Sequence, residues 1–441
     1  MEPLGSLLPR VSSPVPGPVA EAWVERLAHA ECPALTLRRA RRQESSGASH
    51  DPIVWSEAQG ANVRDVDGQI FVDLSAGFGA ATVGHAHPRV VAAIQQQSTR
   101  LLHALGDLQP ADVKIALLER LARLVPGQAR VILGLSGSDA VEAALKTALL
   151  FTRRPGVVAF EGAYHGLSHG PLAACGLSAT FRTPFQAQLN PHVSFAPYPG
   201  AGSPLSASLD AVRAALGRGD VGAILVEPML GRGGVRVPPA EFLPALQALC
   251  REHGALLISD EIMTGFARTG RMFGFEHFDV TPDLLCLGKG LGGGMPVSAC
   301  VGRLEVMNAW GPTSEGALHT GTFFGHPVAA AAALATLDVL AEEKSCERAA
   351  SLGAQLLAAL QPLVGTHGVT EVRGRGLLVG IELDATERSL RCMRALLERG
   401  YITVPAGSDA RVISLTPPVC ISTEQLSGFV SALSESLAVT S

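Results

Sequence analysis

Short apolar runs alternate with amphipathic stretches through the middle of the chain, and this alternation gives the first structural expectation. The apolar runs have the length of buried strands and lie at 131–133, 156–160, 222–226, 256–259, 283–287 and 297–301. The stretches between several of them repeat apolar positions with helical spacing, at 140–151, 209–216 and 240–253. Buried strands separated by helices predict the α/β class, with a mostly parallel sheet covered by helices on both faces.

The flanking segments follow other patterns. The stretch 20–42 is predicted to be helical at first and is then basic, and the pattern at 62–73 predicts a hairpin. A Gly-, Thr- and His-rich stretch at 311–327 marks a domain change. Beyond it we expect a helix at 326–343, a second helix that ends at about 363, a third at 389–397 and a last one at the C-terminus. The strands expected there are at 369–373, 377–382 and 411–415. The predicted parts are an N-terminal arm and segment at 1–60 that packs with the small domain, a large domain at 61–325 and a small α+β domain at 326–441.

Composition narrows the class of protein. Of the 441 residues 47% are hydrophobic and 17% charged, against roughly 25% charged on average, so disorder of the whole chain is excluded. A formal net charge of −5 predicts neither a nucleic-acid nor a membrane partner, and the most apolar stretch, 328–337, is far shorter than the roughly 20 residues that span a bilayer. Eight scattered cysteines without a CxxC pair predict reduced thiols, a cytoplasmic location and no metal.

A lysine surrounded by glycines follows one of the apolar runs. The segment from Gly288 to Gly293 formally matches GxGxxG, but Met295-Pro296 and an apolar strand follow where a dinucleotide site needs a helix. What remains is Lys289 at the end of a buried strand, with glycines that let a bulky group approach the backbone. An exposed lysine in a flexible turn is the alternative.

Two adjacent acids, Asp260 and Glu261, end another apolar run. Adjacent residues of a strand point to opposite faces, so only one of them can face the side that Lys289 faces. A carboxylate in apolar surroundings needs a cationic partner, because burying the charge alone is expensive. The alternative is an acid that caps the following turn.

Further candidate residues follow other predicted strands. Gly137 and Ser138 precede a helix, where free N–H groups form a site for phosphate, although ordinary helix capping explains them as well. The ring of Tyr164 could cover a flat cofactor, with plain packing as the alternative. His85 and His87 precede a proline and indicate a structural turn rather than a metal site.

These candidates share one place in the predicted fold. Each follows the C-terminal end of a strand, which is where open α/β sheets bind ligands. A phosphate site, an aromatic ring, an acid and a lysine match the chemistry of pyridoxal 5'-phosphate (PLP). That cofactor needs a lysine for a Schiff base and an acid to keep its ring nitrogen protonated.

Longer segments around these residues resemble a known family. The most specific block, at 257–302, reads LISDEIMTGFARTGRMFGFEHFDVTPDLLCLGKGLGGGMPVSACVG. Five shorter blocks occur in the order typical of the family: SGSDAVEAALK at 136–146, YHG at 164–166, VEP at 226–228, HTGTFFGHP at 319–327 and VRGRG at 372–376. Over about residues 50–437 the chain is similar to the class III (ω-family) PLP-dependent aminotransferases of fold type I. That group includes ornithine, acetylornithine and 4-aminobutyrate aminotransferases and glutamate-1-semialdehyde aminomutase.

The resemblance implies the fold type I architecture and a role for each matching residue. It implies that Lys289 forms the Schiff base with PLP and shuttles a proton, and that Asp260 pairs with the ring nitrogen. The other implied cofactor contacts are Gly137, Ser138, Tyr164, His165, Glu227, Ile262, Met263 and Thr322. Thr322 would reach the phosphate from the neighbouring subunit, which implies a homodimer with shared active sites. The implied substrate contacts are Phe78, Arg232 and Arg373.

Two positions depart from the family pattern. Met263 stands where many members have a glutamine, and its thioether cannot donate a hydrogen bond, although the aminomutase branch resembles this chain there. Arg232 stands where ornithine- and aminobutyrate-type members have a glutamate that neutralises the arginine binding the substrate carboxylate, the residue matched by Arg373. One hypothesis is that the site accepts or prefers an extra anionic group. The other is that Arg232 turns outward and specificity lies elsewhere.

The predicted function is a ping-pong exchange of an amino group between a primary amine or amino acid and a 2-oxo acid. One alternative keeps the cofactor but not the exchange, as an aminomutase or amino-acid racemase of the same family. A second is a catalytically silent homologue that serves as a scaffold, against which the presence of Lys289 and Asp260 argues. The amino donor, the acceptor and the pathway stay open.

Overall fold

The computed structural model describes residues 4–47, 52–127, 129–200, 202–311 and 317–440. The strands of these segments are β1 (Trp55–Gln59), β2 (Asn62–Asp65), β3 (Ile70–Asp73), β4 (Ala129–Gly134), β5 (Gly156–Phe160), β6 (Val193–Ala196), β7 (Val221–Val226), β8 (Leu256–Asp260), β9 (Leu284–Leu287), β10 (Ser298–Arg303), β11 (Val369–Arg375), β12 (Leu378–Leu383), β13 (Tyr401–Ile402), β14 (Val404–Ala406) and β15 (Val412–Leu415). The longer helices are α1 (Pro18–Ala30), α2 (Pro33–Ser46), α3 (Pro88–Arg100), α4 (Asp112–Ala122), α5 (Gly137–Thr152), α6 (Leu205–Leu216), α7 (Phe242–His253), α8 (Pro327–Glu342), α9 (Ser345–Leu360), α10 (Thr386–Glu398) and α11 (Thr423–Val439).

The largest sheet has seven strands in the order β4-β10-β9-β8-β7-β5-β6. Its strands run parallel except β10, which pairs antiparallel with both β4 and β9. Only residues 288–297 join β9 to β10, which is too short for the crossover that a parallel pair requires. The predicted mostly parallel sheet is therefore confirmed, with one antiparallel strand that the apolar pattern did not distinguish.

Helices cover both faces of this sheet, because the side chains of each strand alternate between two cores. Val158 and Phe160 of β5 belong to a core shared with α6, α7 and α8, whereas Val157 and Ala159 belong to the core beneath α5. The strands β5, β7, β8 and β9 are buried along their whole length. An apolar strand between two helical layers has no solvent-facing side, which explains the uninterrupted apolar runs.

The N- and C-terminal parts of the chain pack against each other. The predicted hairpin is formed by β2 and β3, and β13 extends that sheet by pairing parallel with β3. The strands β11, β12, β15 and β14 form a separate antiparallel sheet, whose core includes Ile381 and Phe429 together with Val72 and Leu74.

The domain limits after residues 60 and 325 stay a prediction. Val72 of β3 and the flanking Ala61 and Leu74 share the core of the C-terminal sheet, whereas α8 packs on α3 and α4 in the core of the large sheet. Several elements were not predicted, among them α3, α4 and the edge strands β6 and β14. The strands β6 and β14 are only four and three residues long, and α4 has few fully buried positions, so their periodic signal is weak. The helix α3 is amphipathic, so its pattern was present in the sequence and was missed. None of the helices in the described segments is long and apolar enough to cross a membrane.

Candidate active site

Five parallel strands end at one edge of the large sheet, and predicted site residues follow each of them. This edge carries Gly137 and Ser138 after β4, Tyr164 and His165 after β5, Glu227 after β7, Asp260 at the end of β8 and Lys289 after β9. Parallel strands deliver their C-terminal ends to the same side, so the topology brings together residues that are up to 152 positions apart, from Gly137 to Lys289.

Asp260 is buried and hydrogen-bonded on both carboxylate oxygens. Its Oδ2 lies 2.7 Å from Nδ1 of His165, and its Oδ1 accepts the backbone N–H of Ile262 at 3.0 Å. Because a carboxylate only accepts, the imidazole donates from Nδ1. The other ring nitrogen, Nε2, is buried and meets no hydrogen-bond partner among the described residues. The histidine therefore presents an unused polar atom inside the site.

Glu261 points away from this cluster, as the alternation of strand side chains predicts. Its carboxylate accepts hydrogen bonds from Thr264, from the backbone N–H groups of Gly274 and Phe275, and from Ser259, at 2.5 to 3.2 Å. Complete burial raises the pKa of Glu261 to about 7, although these hydrogen bonds lower it. Of the two adjacent acids, Asp260 faces His165 and Glu261 anchors the loop that follows.

Glu227 fastens two loops at the edge of the site. It accepts the backbone N–H of Tyr164 at 2.8 Å and that of Gly231 at 2.9 Å. Burial raises the pKa of Glu227; the nearby Asp260 raises it further, and His165 opposes both. The carboxylate thus couples the position of the Tyr164 ring to the loop that carries Arg232.

Lys289 stands in a strained backbone conformation with φ of 40°. Burial lowers the pKa of its ammonium group; the carboxylates of Asp260 and Glu227 oppose this, and the charge of Arg232 lowers the pKa further. A lysine in this environment reaches its neutral, nucleophilic form at lower pH than an exposed lysine.

The helix α5 begins at the site with a complete capping box. Ser136 accepts the backbone N–H of Asp139, and the Asp139 carboxylate accepts the backbone N–H of Ser136. The N–H groups of Gly137 and Ser138 lie in the first turn and have no acceptor within the helix, so they remain for an anion. A Cβ at Gly137 would lie only 2.8 Å from Cδ1 of Ile262. Glycine therefore lets this helix end approach the isoleucine.

The loop before α3 contains a left-handed turn that the sequence did not reveal. Ala76, Gly77, Phe78 and Gly79 all have positive φ, and the turn leaves the Phe78 side chain 60% exposed. A Cβ at Gly79 would lie 3.4 Å from Sδ of Met263 and 3.6 Å from Cδ of Lys289, so the turn borders the lysine.

Asp73 holds this turn together. It accepts the N–H and hydroxyl of Ser75 and the N–H of Gly77, and His85 contacts it at 2.8 Å. The His-Ala-His segment thus serves a structural turn, with His87 bonded to Glu343. Within the described ranges, no group of three or more His, Cys, Asp or Glu side chains could hold a metal ion.

The sequence pattern does not predict the left-handed turn, because positive φ at an alanine and a phenylalanine leaves no signature in it.

The two predicted substrate arginines have different surroundings. Arg373, with 9% of its side chain exposed, pairs with Glu371 and Glu382 at 2.6 Å each. The guanidinium of Arg232 lies over the Tyr164 ring, with Cζ 4.2 Å from the ring centroid. Glu371 stands two residues before Arg373 on the same strand, so period-two spacing was the signal that could have found one of these partners.

Thr322 is the one predicted cofactor contact that lies apart from this cluster. It is exposed and borders a small cavity together with His103 and Lys114. Among the described residues no contact joins Thr322 to Gly137 or Ser138.

The assembled residues fit PLP. A buried carboxylate suits a protonated ring nitrogen, a lysine of lowered pKa suits a Schiff base with an aldehyde, and a free helix N-terminus suits a phosphate. The buried Nε2 of His165, which meets no hydrogen-bond partner among the described residues, leaves a polar atom at this edge for a bound molecule. The fold and site thus define an α/β enzyme of the PLP-dependent type.

Comparison with known proteins identifies the family. The model of the class III aminotransferases matches residues 45–437. The chain is 38% identical over 393 residues to the acetylornithine aminotransferase of Methanopyrus kandleri, covering 88% of this chain and 95% of that protein. It is 36% identical over 419 residues to the 5-aminovalerate aminotransferase of Pseudomonas aeruginosa, covering 91% and 97%.

A solved structure agrees with these relatives. The PLP-bound amine transaminase from an uncultivated Pseudomonas species superposes with a TM-score of 0.82 at 31% identity, over 88% of this chain and 95% of that one. The chain belongs to the class III aminotransferase family. It is a PLP-dependent aminotransferase of fold type I, with amines or amino acids and 2-oxo acids as its substrate classes.

Proposed function

We propose that Lys289 carries the cofactor of this aminotransferase and that Asp260 stabilises the positive charge of the cofactor ring nitrogen. When bound, PLP supplies an electron sink for negative charge at the carbon that bears the exchanging amino group. The observation that carries the proposal is the buried Asp260 carboxylate, held 2.7 Å from His165 at the same sheet edge as Lys289. An ionised carboxylate beside a ring nitrogen favours the protonated ring.

Lys289 would also move the proton during the exchange. Its lowered pKa supports this role, because a group that must alternately accept and give a proton works best when its pKa lies near the working pH. Its position at the end of β9 keeps the side chain at the edge where the other residues converge.

The remaining residues would bind and orient the cofactor. The N–H groups of Gly137 and Ser138 would hold the phosphate, and Tyr164 and Ile262 would pack on the two faces of the ring. The other proposed contacts are His165, Glu227 and Met263 at the ring edge and Phe78 on the substrate side. The tether from Glu227 to the backbone of Tyr164 supports a fixed ring position.

A half-reaction assay tests the proposed function. Holoenzyme is mixed with a panel of amines and amino acids without an oxo acid, and the visible spectrum of the cofactor is recorded. We expect at least one donor to convert the cofactor to its amino form and a 2-oxo acid to restore the starting spectrum. Conversion of a substrate to its isomer or enantiomer, without net transfer to an added oxo acid, would instead identify an aminomutase or racemase.

We also propose that the active enzyme is a homodimer in which Thr322 reaches the phosphate of the other subunit. Leu102, Leu105 and Leu108 are 59% to 78% exposed in the single chain. The His103 ring lies 5.3 Å from that of Phe323, so this apolar loop and the residue after Thr322 form one surface. A contiguous apolar surface of this kind is typical of a subunit interface, and a second copy would bury it beside Thr322.

The dimer proposal predicts a mass in solution of twice the 45.8 kDa chain, measured by light scattering. We expect Leu108→Glu to shift the mass towards the monomer and to lower activity with it, because a charge would be buried in the interface. The matched control is Val439→Glu, since Val439 is 68% exposed near the end of α11. A native monomer with full activity would contradict the shared site.

A cytoplasmic location is the last part of the proposal. Its support is that all eight cysteines have free thiols, five of them buried, as is typical of proteins kept in a reducing compartment.

A further inference from the structure

Arg373 has almost no donor left for a substrate. Its Nη1 contacts Glu371 and Glu382 at 2.6 Å, and its Nε and Nη2 donate to the carbonyl oxygens of Gly234 and Val235 at 2.6 to 3.0 Å. A guanidinium binds a carboxylate through two parallel N–H groups, and here the fork is already taken. To bind a substrate there, the side chain would have to release groups that stay partly buried and lose their partner.

The bonds of Arg373 have a structural purpose. They join β11 and β12 of the C-terminal sheet to the loop that carries Gly234 and Val235. Glu382 is held further by Arg236 and Arg411, each 3.9 Å away. Arg373 is therefore one member of a charge network between two parts of the fold.

The surroundings of Arg232 are the opposite of those of Arg373, although Arg232 lies in the loop whose carbonyl oxygens bind Arg373. Its guanidinium stacks on the ring of Tyr164, is partly exposed, and forms no hydrogen bond or ion pair with the described residues. Stacking covers a face of the guanidinium and leaves the N–H groups at its edge free for an anion. The positive charge of Arg232 lowers the pKa of Lys289, so Arg232 lies within electrostatic reach of the reacting amine.

The backbone also holds Arg232 in place. Its carbonyl oxygen accepts the N–H of Gly407 at 2.8 Å, and Glu227 holds Gly231 on one side and Tyr164 on the other. The cation and the ring beneath it are thus positioned by one buried carboxylate.

We propose that Arg232 binds the carboxylate of the substrate in this enzyme and that Arg373 is a structural bridge. The inference rests on the proposed function and names its substrate class: amines that carry a carboxylate rather than uncharged alkylamines. Arg232 is then a specificity-determining residue, and the negative charge that balances it is supplied by the substrate.

The test compares two donors of equal length, 5-aminopentanoate and pentylamine, in the half-reaction without an oxo acid. We expect Arg232→Gln to lower the rate constant divided by the dissociation constant about 10- to 100-fold for the acid, because a charge-assisted pair is lost. For the amine, which has no carboxylate, the same ratio should fall less than about threefold. The matched control is Arg236→Gln, four residues away in the same loop, which should affect the two donors equally.

A binding measurement makes the test independent of turnover. Pentanoate, which has no amino group to react, is titrated into the holoenzyme by calorimetry, and Arg232→Gln should weaken its binding by the same factor. Arg232→Lys, which keeps the charge but loses the fork, should fall between the wild type and Arg232→Gln.

Arg373→Gln separates the two arginines. We expect it to lower the thermal midpoint and to slow both donors alike, because it removes the cation that lies 2.6 Å from both Glu371 and Glu382. A selective loss of the acid in Arg373→Gln, with Arg232→Gln unchanged, would overturn the inference. If Arg373→Gln does not fold, the pentanoate titration is sufficient by itself: equal affinity in the wild type and in Arg232→Gln would overturn the inference. If the wild type converts neither donor nor any other amine, the proposed function itself has failed.

Discussion

Replacing Lys289 by alanine is expected to lower amino transfer by at least about 1,000-fold, because the variant loses both the covalent attachment point and the proton carrier. The measurement is kcat/KM for the best donor found in the half-reaction panel. The variant should fold, since a shorter side chain at this position removes a partly buried ammonium group and breaks no hydrogen bond observed in the described residues.

A chemical readout accompanies this prediction. Borohydride reduction of the wild-type holoenzyme should fix the cofactor on the peptide that contains Lys289. The chain has only four lysines, at 114, 146, 289 and 344, so peptide mapping assigns the modified position without ambiguity. Lys146→Ala is the matched control and should keep both the modification and the activity. Cofactor fixed on another lysine, or full activity in Lys289→Ala, would refute the assignment.

Replacing Asp260 by asparagine is expected to lower kcat about 100-fold or more while the cofactor still binds. Asparagine keeps the shape and can still accept the N–H of Ile262, but it has no charge to keep the ring nitrogen protonated. The measurement is kcat at saturating donor, together with the absorption spectrum of the bound cofactor. The spectrum should change because the variant alters the protonation of the ring.

The adjacent acid is a natural control for this prediction. Glu261→Gln should leave kcat within about threefold but lower the free energy of unfolding by about 1–3 kcal/mol, because an amide NH2 would face donors that now bond to a carboxylate. Denaturant unfolding and kcat measured on both variants should therefore give opposite patterns. If Asp260→Asn keeps its kcat and Glu261→Gln loses it, the two acids have been assigned to the wrong faces.

The strand-end residues were predictable because their positions follow from chain order. Lys289, Asp260, Glu227 and Tyr164 each come directly or shortly after an apolar run. Parallel strands bring such positions to one edge whatever the loops do. For the adjacent acids Asp260 and Glu261, strand alternation predicts that only one faces the site, but alternation alone does not say which one. Burial and the bond to His165 decided between them.

The substrate side of the site was less predictable. The resemblance suggested that Arg373 binds a carboxylate, and no pattern showed that Glu382, on another strand, holds its guanidinium. The left-handed turn at Phe78 was hidden as well, because Asp73 and His85 stabilise it from positions that a local reading does not connect. These features depend on contacts between segments, which chain order alone does not specify.

The sequence by itself determined the α/β class, the family and the residue types available at the end of each strand, because hydrophobic periodicity and local motifs are properties of consecutive residues. Only the tertiary structure showed what each of the two adjacent acids contacts, which of two arginines is free to bind an anion and that α8 packs in the core of the large sheet. The physical reason is that hydrogen-bond satisfaction and burial depend on every group that meets a side chain in space. For Arg373 those groups are two glutamates and two carbonyl oxygens, and for Arg232 the stacking partner is a single aromatic ring.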